Sequence, residues 1–225
     1  MDKKGFKIEL HCHTAESSCC GRVPAAELVS LYKEAGYNGM VITDHLSSVI
    51  FNAEGVDSWE DATEYFLKGY RLAKEQGDKI GVKVYLAGEI RFPDSPNDYL
   101  LYGLTEEIVK ANPRLFETTL GEFKKFAEAN GLFIIQAHPY RHPCTPAPAE
   151  FLDGMEIYNG HDGHDSHNDL AKEYANTNGL WATAGSDCHY YHAVGTAAAV
   201  FEALPETSAE IALLLSKGLA RLESY

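Results

Sequence analysis

The sequence predicts a single α/β domain built around parallel strands, on three observations. Strand-length apolar runs alternate with longer helical stretches along the chain, and repeated strand, loop, helix order is the mark of a sheet covered by helices. The 225 residues, 45% of them hydrophobic, suffice for one core of the size that α/β barrels enclose. No Gly/Ser/Pro-rich linker, internal repeat or low-complexity tract divides the chain; the Pro-rich stretch from His142 to Pro148 is too short to be more than a rigid loop.

Taken in order, Phe6-Lys7-Ile8-Glu9-Leu10 reads as a strand. Residues 24–35 follow as a helix, with Pro24 at its start, Leu28, Leu31 and Ala35 at helical spacing, and Gly36 as its stop. Residues 40–43 form the next strand, and 59–76 a helix that places Tyr65, Phe66, Leu72 and Ala73 on one side before Gly77. Strands at 82–87 and 99–104 have few helix signals between them, and 119–129 is an amphipathic helix ending before Gly131. Apolar strands follow at 132–137, 155–158 and 181–184, the last two separated by a helix over 165–176. Strands at 195–201 and 219–222 flank a helix at 208–217.

Nineteen Lys and Arg against 33 Asp and Glu leave a formal charge of −14. That excludes long nucleic acid as a general partner, because neutralising a phosphate backbone takes a concentrated basic surface. No segment approaches a membrane span, so no membrane partner is expected. The start, Met1-Asp2-Lys3-Lys4, lacks the apolar region of a signal peptide, and five cysteines without framework spacing suit reduced thiols; both point to a cytoplasmic protein.

Chemistry concentrates at the C-terminal ends of the expected strands. His11 and His13 follow the first, Asp44 and His45 the second, Glu89 the third, and His138 the strand at 132–137. Asn159, and then Asp187 and His189, follow the next two. Each pattern alone has a plain structural reading. His11-Cys12-His13 could be polar strand-end residues, Asp44-His45 a capping turn and Asp187-Cys188-His189 an Asx-turn. Their conjunction is the informative feature. In a closed barrel all strand ends open on one face, and mixed imidazole and carboxylate donors suit Zn²⁺, Mn²⁺ or Fe²⁺ better than Ca²⁺ or Mg²⁺ alone.

The ordered set His11-x-His13, Thr43-Asp44-His45, Gly88-Glu89, Ala137-His138-Pro139 and Gly185-Ser186-Asp187-Cys188-His189 resembles the polymerase and histidinol phosphatase (PHP) family of metal-dependent phosphoesterases over nearly the whole chain. The resemblance implies one domain over residues 1–225, a distorted TIM-like (β/α)7 barrel, with two or three divalent ions at its mouth hydrolysing phosphate esters. It implies that His11, His13, Glu89 and Asp187 hold the first ion, Glu89 and His138 the second with Glu89 bridging, and His45 and His189 a third. Two positions depart from the family pattern. Asp98 stands where many members have a His near the second ion, and Glu16-Ser17-Ser18-Cys19-Cys20 stands where many have a further His or Asp, leaving Cys19 or Cys20 as an open thiolate candidate.

On this reading Glu89, Asp187, His45 and His189 are the catalytic set, a metal-activated water attacks a small phosphorylated substrate, and Arg91 and Arg141 recognise its phosphate. Arg22 is equally close to a motif, and Asn159 is a further expected substrate contact. His161, His164 and His167, between Gly160 and Asn168, read as a solvated or substrate-facing loop rather than another ion site. Two other functions remain: a hydrolase of carbon–nitrogen or carbon–oxygen bonds, which His-rich dinuclear barrels also support, and an idle regulatory module that binds metal as a sensor.

Overall fold

A computed structural model describes residues 5–225; the expectation placed on residues 1–4 lies outside them. Eleven strands are described: β1 (Phe6–Cys12), β2 (Gly39–Ile42), β3 (His45–Leu46), β4 (Lys83–Leu86), β5 (Gly88–Arg91), β6 (Asp98–Tyr102), β7 (Phe133–Gln136), β8 (Gly154–Asn159), β9 (Trp181–Gly185), β10 (Ala197–Phe201) and β11 (Ala220–Ser224). Seven helices lie between them: α1 (Ala25–Glu34), α2 (Ser48–Ala53), α3 (Trp59–Ile80), α4 (Glu106–Ala111), α5 (Leu120–Asn130), α6 (Asn168–Asn178) and α7 (Ser208–Leu215).

The helix boundaries follow from local chemistry. The hydroxyls of Ser58, Thr105, Thr119 and Thr207 cap α3, α4, α5 and α7, and Thr119 with Glu122 forms a full capping box. Gly81, Gly131 and Gly179 end α3, α5 and α6 in the left-handed region, where a side chain would be strained. The 22-residue α3 runs beyond the expected stop at Gly77. Gly77 is instead a packing position, since a Cβ there would lie 2.5 Å from the Val82 carbonyl oxygen.

The expected parallel strand arrangement needs correction. The strands are hydrogen-bonded as two mixed sheets, in the orders β11-β10-β1-β2-β4 and β3-β5-β6-β7-β8-β9. The β5–β6, β6–β7, β1–β10 and β10–β11 pairs are antiparallel. For β6 the cause is connection length: only residues 92–97 join β5 to β6, room for a hairpin but not for the crossover that parallel strands require.

The sheets adjoin where the polar residues sit. The path of β2 continues into β3 across Thr43-Asp44, and that of β4 into β5 across Ala87. The Ala87 and Glu89 amides donate to the Ile42 and Asp44 carbonyls across that break. A parallel bridge between Cys12 and Cys188 brings the end of β1 beside the chain leaving β9. Beneath these junctions one buried cluster unites both sheets, with Ile8, Val41 and Tyr85 from one and Leu100, Phe133 and Ile135 from the other. The polar ends of β1, β2, β4, β7 and β9 therefore open above a common apolar floor.

Candidate metal centre

His11 and His13 owe their aim to an irregularity in β1. Its pairing with β2 shifts register between Glu9 and Cys12, which turns the strand end and leaves local amides off the ladder. Buried Glu9 replaces the missing acceptors: Oε1 takes the amides of Leu10, His11 and Ser186, and Oε2 takes the Tyr32 hydroxyl. Burial pushes its carboxyl above the usual range, against those bonds. A second register shift, in β8 between Glu156 and Tyr158, presents Glu156 to the same place.

The Nε2 atoms of His11 and His13 are 3.2 Å apart. Asp187 Oδ1 is 3.3 Å from each of them, and Glu89 oxygens are 3.6 and 3.4 Å from His11 and His13. The tautomers show what faces what. His11 Nδ1–H donates to Glu156 Oε1 at 2.8 Å. Ser18 Oγ donates to Asp44, so it accepts from His13 Nδ1–H at 3.4 Å. Both Nε2 atoms therefore face one another and two carboxylates, and Asp187 Oδ1 has no hydrogen-bond partner although buried. Four donors around a tetrahedral ion at about 2.0–2.1 Å stand about 3.3 Å apart. The residues present fit a divalent cation.

Beside this group His138 Nε2 is 3.0 Å from Glu89 Oε1, and its Nδ1 is buried without a partner. His45 Nδ1 is 2.9 Å from Glu89 Oε2. Glu89 thus lies at the centre, touching His138 with one oxygen and His45 with the other. His13, His45 and His189 form another set of mutually close donors, as do His11, His138 and Asp187. Sulfur joins them: Cys20 Sγ lies 3.2 Å from His45 Nε2 and 3.1 Å from His189 Nε2.

The electrostatics follow from this crowding. Burial would lower His11, but Asp187, Glu156 and Glu89 outweigh it and hold the imidazole well above its ordinary value. Burial and the neighbouring His189 and His45 push His13 well below. Burial would raise Glu89 and Asp187, yet His45 and His11 keep Glu89, and His11 and His13 keep Asp187, well below the carboxylate range. His138 is raised to about 10, because Cys144 and Glu89 overcome burial. Cys20 falls to about 6 as its hydrogen bonds to His189 and His45 overcome burial. His138 and Asp187 hold left-handed backbones, with φ of 27° and 49°. Such strain costs on the order of 1–3 kcal/mol each and collects at functional sites.

Other expected residues stand differently. Asp98 is 3.9 Å from His138 Nε2, close to the centre, but both its oxygens accept from Arg91, at 2.7 and 2.6 Å, and one also from Arg141 at 3.1 Å. The two arginines are thus braced by one buried carboxylate. Asn159, expected to meet substrate, is turned inward: Nδ2 donates to Glu156 and Asp187, and Oδ1 accepts from the His161 amide and Ser166. It orients two carboxylates instead. Among the loop histidines, His161 stacks on His164 at 4.4 Å and meets His189 at 5.2 Å, whereas His167 is exposed. His164 lies near His138, with Nε2 buried and unpartnered. A cavity of about 220 Å³ opens over the centre, walled by Cys20, His45, Arg91, Arg141, Asp187 and His189.

Sequence reasoning missed Glu9, Glu156 and the anchoring role of Asp44. Asp44 takes the Thr14 amide and hydroxyl and the Ser18 hydroxyl, and burial pushes its carboxyl up to about 6. A signal was present for the first two: each is a lone carboxylate inside an apolar run, Ile8-Glu9-Leu10 and Met155-Glu156-Ile157, costly to bury unless partnered.

Residues 165–218, which include Asp187 and His189, match the family model described as PHP-associated. No curated protein matches the chain significantly. Among solved structures, the chain resembles a two-domain protein from Bacteroides vulgatus ATCC 8482, described as containing a predicted PHP-like metal-dependent phosphoesterase, with 16% identity and a TM-score of 0.69 over 100% of this chain and 66% of that one. It also resembles PsfC from Pseudomonas syringae PB-5123, with 18% identity and a TM-score of 0.68 over 96% and 88%. The lesion-specific endonuclease EndoQ from Pyrococcus furiosus aligns at 16% identity and a TM-score of 0.65 over 97% of this chain and 58% of that one. These structural likenesses show the fold, and with the matched segment they support the PHP resemblance.

Proposed function

We propose that this chain is a PHP-type metal-dependent phosphoesterase that hydrolyses a small phosphate ester. The observation that carries the reading is the convergence of His11, His13, Glu89 and Asp187 donor atoms at 3.2–3.6 Å, two of them imidazole nitrogens. These four would hold one ion, Glu89 and His138 a second beside Asp98, and His45 and His189 an outer third. Zn²⁺, Mn²⁺ or Fe²⁺ at these donors would bring a water close to ionisation at neutral pH and polarise a phosphoryl oxygen.

The chain's own residues supply the rest. Glu156 and Asn159 hold His11 and Asp187 in place. Arg91 and Arg141, braced on Asp98 at the cavity wall, offer their remaining N–H groups and positive charge to phosphate oxygens. His45 and His189 line the same cavity and neutralise charge on the leaving oxygen, protonated or as ligands. A cavity of about 220 Å³ and a charge of −14 favour a small substrate over nucleic acid. Within the same proposal, residues 1–225 form one domain, and the two sheets work as a distorted barrel around their shared apolar floor. Five cysteines, an odd number without framework spacing, favour a cytoplasmic setting.

Purified protein is tested against a panel of phosphomonoesters and phosphodiesters, and against single- and double-stranded DNA, with each metal supplied. Metal-dependent phosphate release from small esters is expected. Turnover confined to DNA, or to amides and lactones, overturns the proposal.

A further inference from the structure

We infer that Cys20, not Cys19, completes the outer cation position as a thiolate with His45 and His189, and that its sulfur biases this position toward Zn²⁺, Fe²⁺ or Co²⁺ over Mn²⁺ and Mg²⁺. The inference rests on the metal-dependent reading above and deepens it. Its ground is geometry. His45 Nδ1 is anchored 2.9 Å from a Glu89 oxygen and His189 Nδ1 2.8 Å from the Asp187 carbonyl oxygen. Each ring is thereby turned so that its Nε2 faces the same sulfur, at 3.2 and 3.1 Å. Metal bonds of about 2.3 Å to sulfur and about 2.0–2.1 Å to nitrogen place a sulfur and a nitrogen about 3.5 Å apart, close to these spacings.

The sulfur is held there by a built loop. Ser18 and Gly21 close turns onto Thr14 and Ser18, and the Arg22 amide donates to the His189 carbonyl. Ser17 ties the loop to α3 through the Tyr65 carbonyl and the Gly69 amide. A Cβ at Gly21 would lie 2.6 Å from the Thr14 carbonyl oxygen, so the approach requires glycine. Cys19, by contrast, is exposed. Three protein donors facing the cavity leave a further position open, as in catalytic rather than structural sites. Binding is a simple exchange in which the Cys20 proton leaves to solvent, a sulfur–metal bond forms and nothing is oxidised. Thiolate ligation selects softer cations than an all-N/O set does.

Cobalt(II) titration of metal-free, full-length protein tests this, with metal content measured in parallel. Wild type should develop the near-ultraviolet sulfur-to-cobalt absorption. Cys20→Ser should lose that band and bind one ion fewer while keeping the inner ions, and Cys19→Ser should keep both band and stoichiometry. Cys20→Ser should also weaken outer-site Zn²⁺ at least about tenfold, the least that losing even a residue behind a ligand costs, and disturb Mn²⁺ less. A band missing from wild type that still binds the inner ions, or one persisting in Cys20→Ser, overturns the inference alone. Absence of any bound cobalt overturns it together with the phosphoesterase reading.

Discussion

At His11 the Nδ1–H is held by Glu156 Oε1 at 2.8 Å, and the same carboxylate takes the His138 amide and the Asn159 side chain through its other oxygen. One residue that faces no substrate thus fixes two metal-competent histidines. Glu156→Gln should lower metal affinity about 10–100-fold with the fold retained, as read by calorimetric metal titration beside circular dichroism. Proton linkage belongs to this scale too. With its imidazole raised to about 10, His138 carries a proton at pH 7 in the metal-free chain. The sign for stability follows: this proton stabilises the metal-free fold fully below the ordinary value of 6.5, and the contribution is lost as pH rises through about 10. The sign for loading is opposite, since a cation must displace the proton. Metal affinity should therefore rise with pH, with proton release seen as a buffer-dependent heat of binding; affinity that fell with pH would contradict the ligand assignment.

Elements position these residues through close contacts that only glycine permits. In β9 a Cβ at Gly185 would sit 2.3 Å from His11 Cβ and 2.8 Å from Glu156 Oε1, and in α3 one at Gly69 would strike Thr14 and Asp44. Gly185→Ala should cost on the order of 1–3 kcal/mol in stability through overpacking and should remove metal binding by displacing His11. Thr119→Ala, at the capping box of α5, should cost about 1 kcal/mol and leave metal content intact. Thermal melts with metal analysis separate the two. The longer elements were legible in sequence because α1, α3, α5 and α6 repeat an apolar face over several turns and end at glycine. The six-residue α2 and α4 are too short to show a period, and β3 and β5 are short continuations of β2 and β4 across breaks of one or two residues. The antiparallel run through β6 escaped because strand direction depends on the length of the 92–97 connection rather than on any residue pattern. Likewise, His11, His13, Glu89, His138 and Asp187 stood out at strand ends, whereas Glu9 and Glu156 lie inside strands and were read only as strand residues.

For the whole molecule, the two sheets meet over one apolar floor and leave their polar ends facing a small cavity within an acidic surface. A divalent cluster held there would make that cavity locally positive while the remaining acidic surface repels anions. Salt screens the repulsion, so kcat/KM for an anionic ester should hold steady or rise modestly, by less than about tenfold, with added monovalent salt. A steep fall, the response of binding that depends on basic residues at a long phosphate backbone, would point away from a small substrate.

The central claim is that the cluster around Glu89 binds divalent ions that drive phosphoester hydrolysis. Elemental analysis of the purified protein and of Asp187→Ala, each assayed on the same phosphate-ester panel, addresses it most directly. Wild type is predicted to carry more than one bound Zn, Mn or Fe per chain and to release phosphate. Asp187→Ala is predicted to lose both. An Asp187→Ala protein that kept wild-type metal content and turnover would contradict the account.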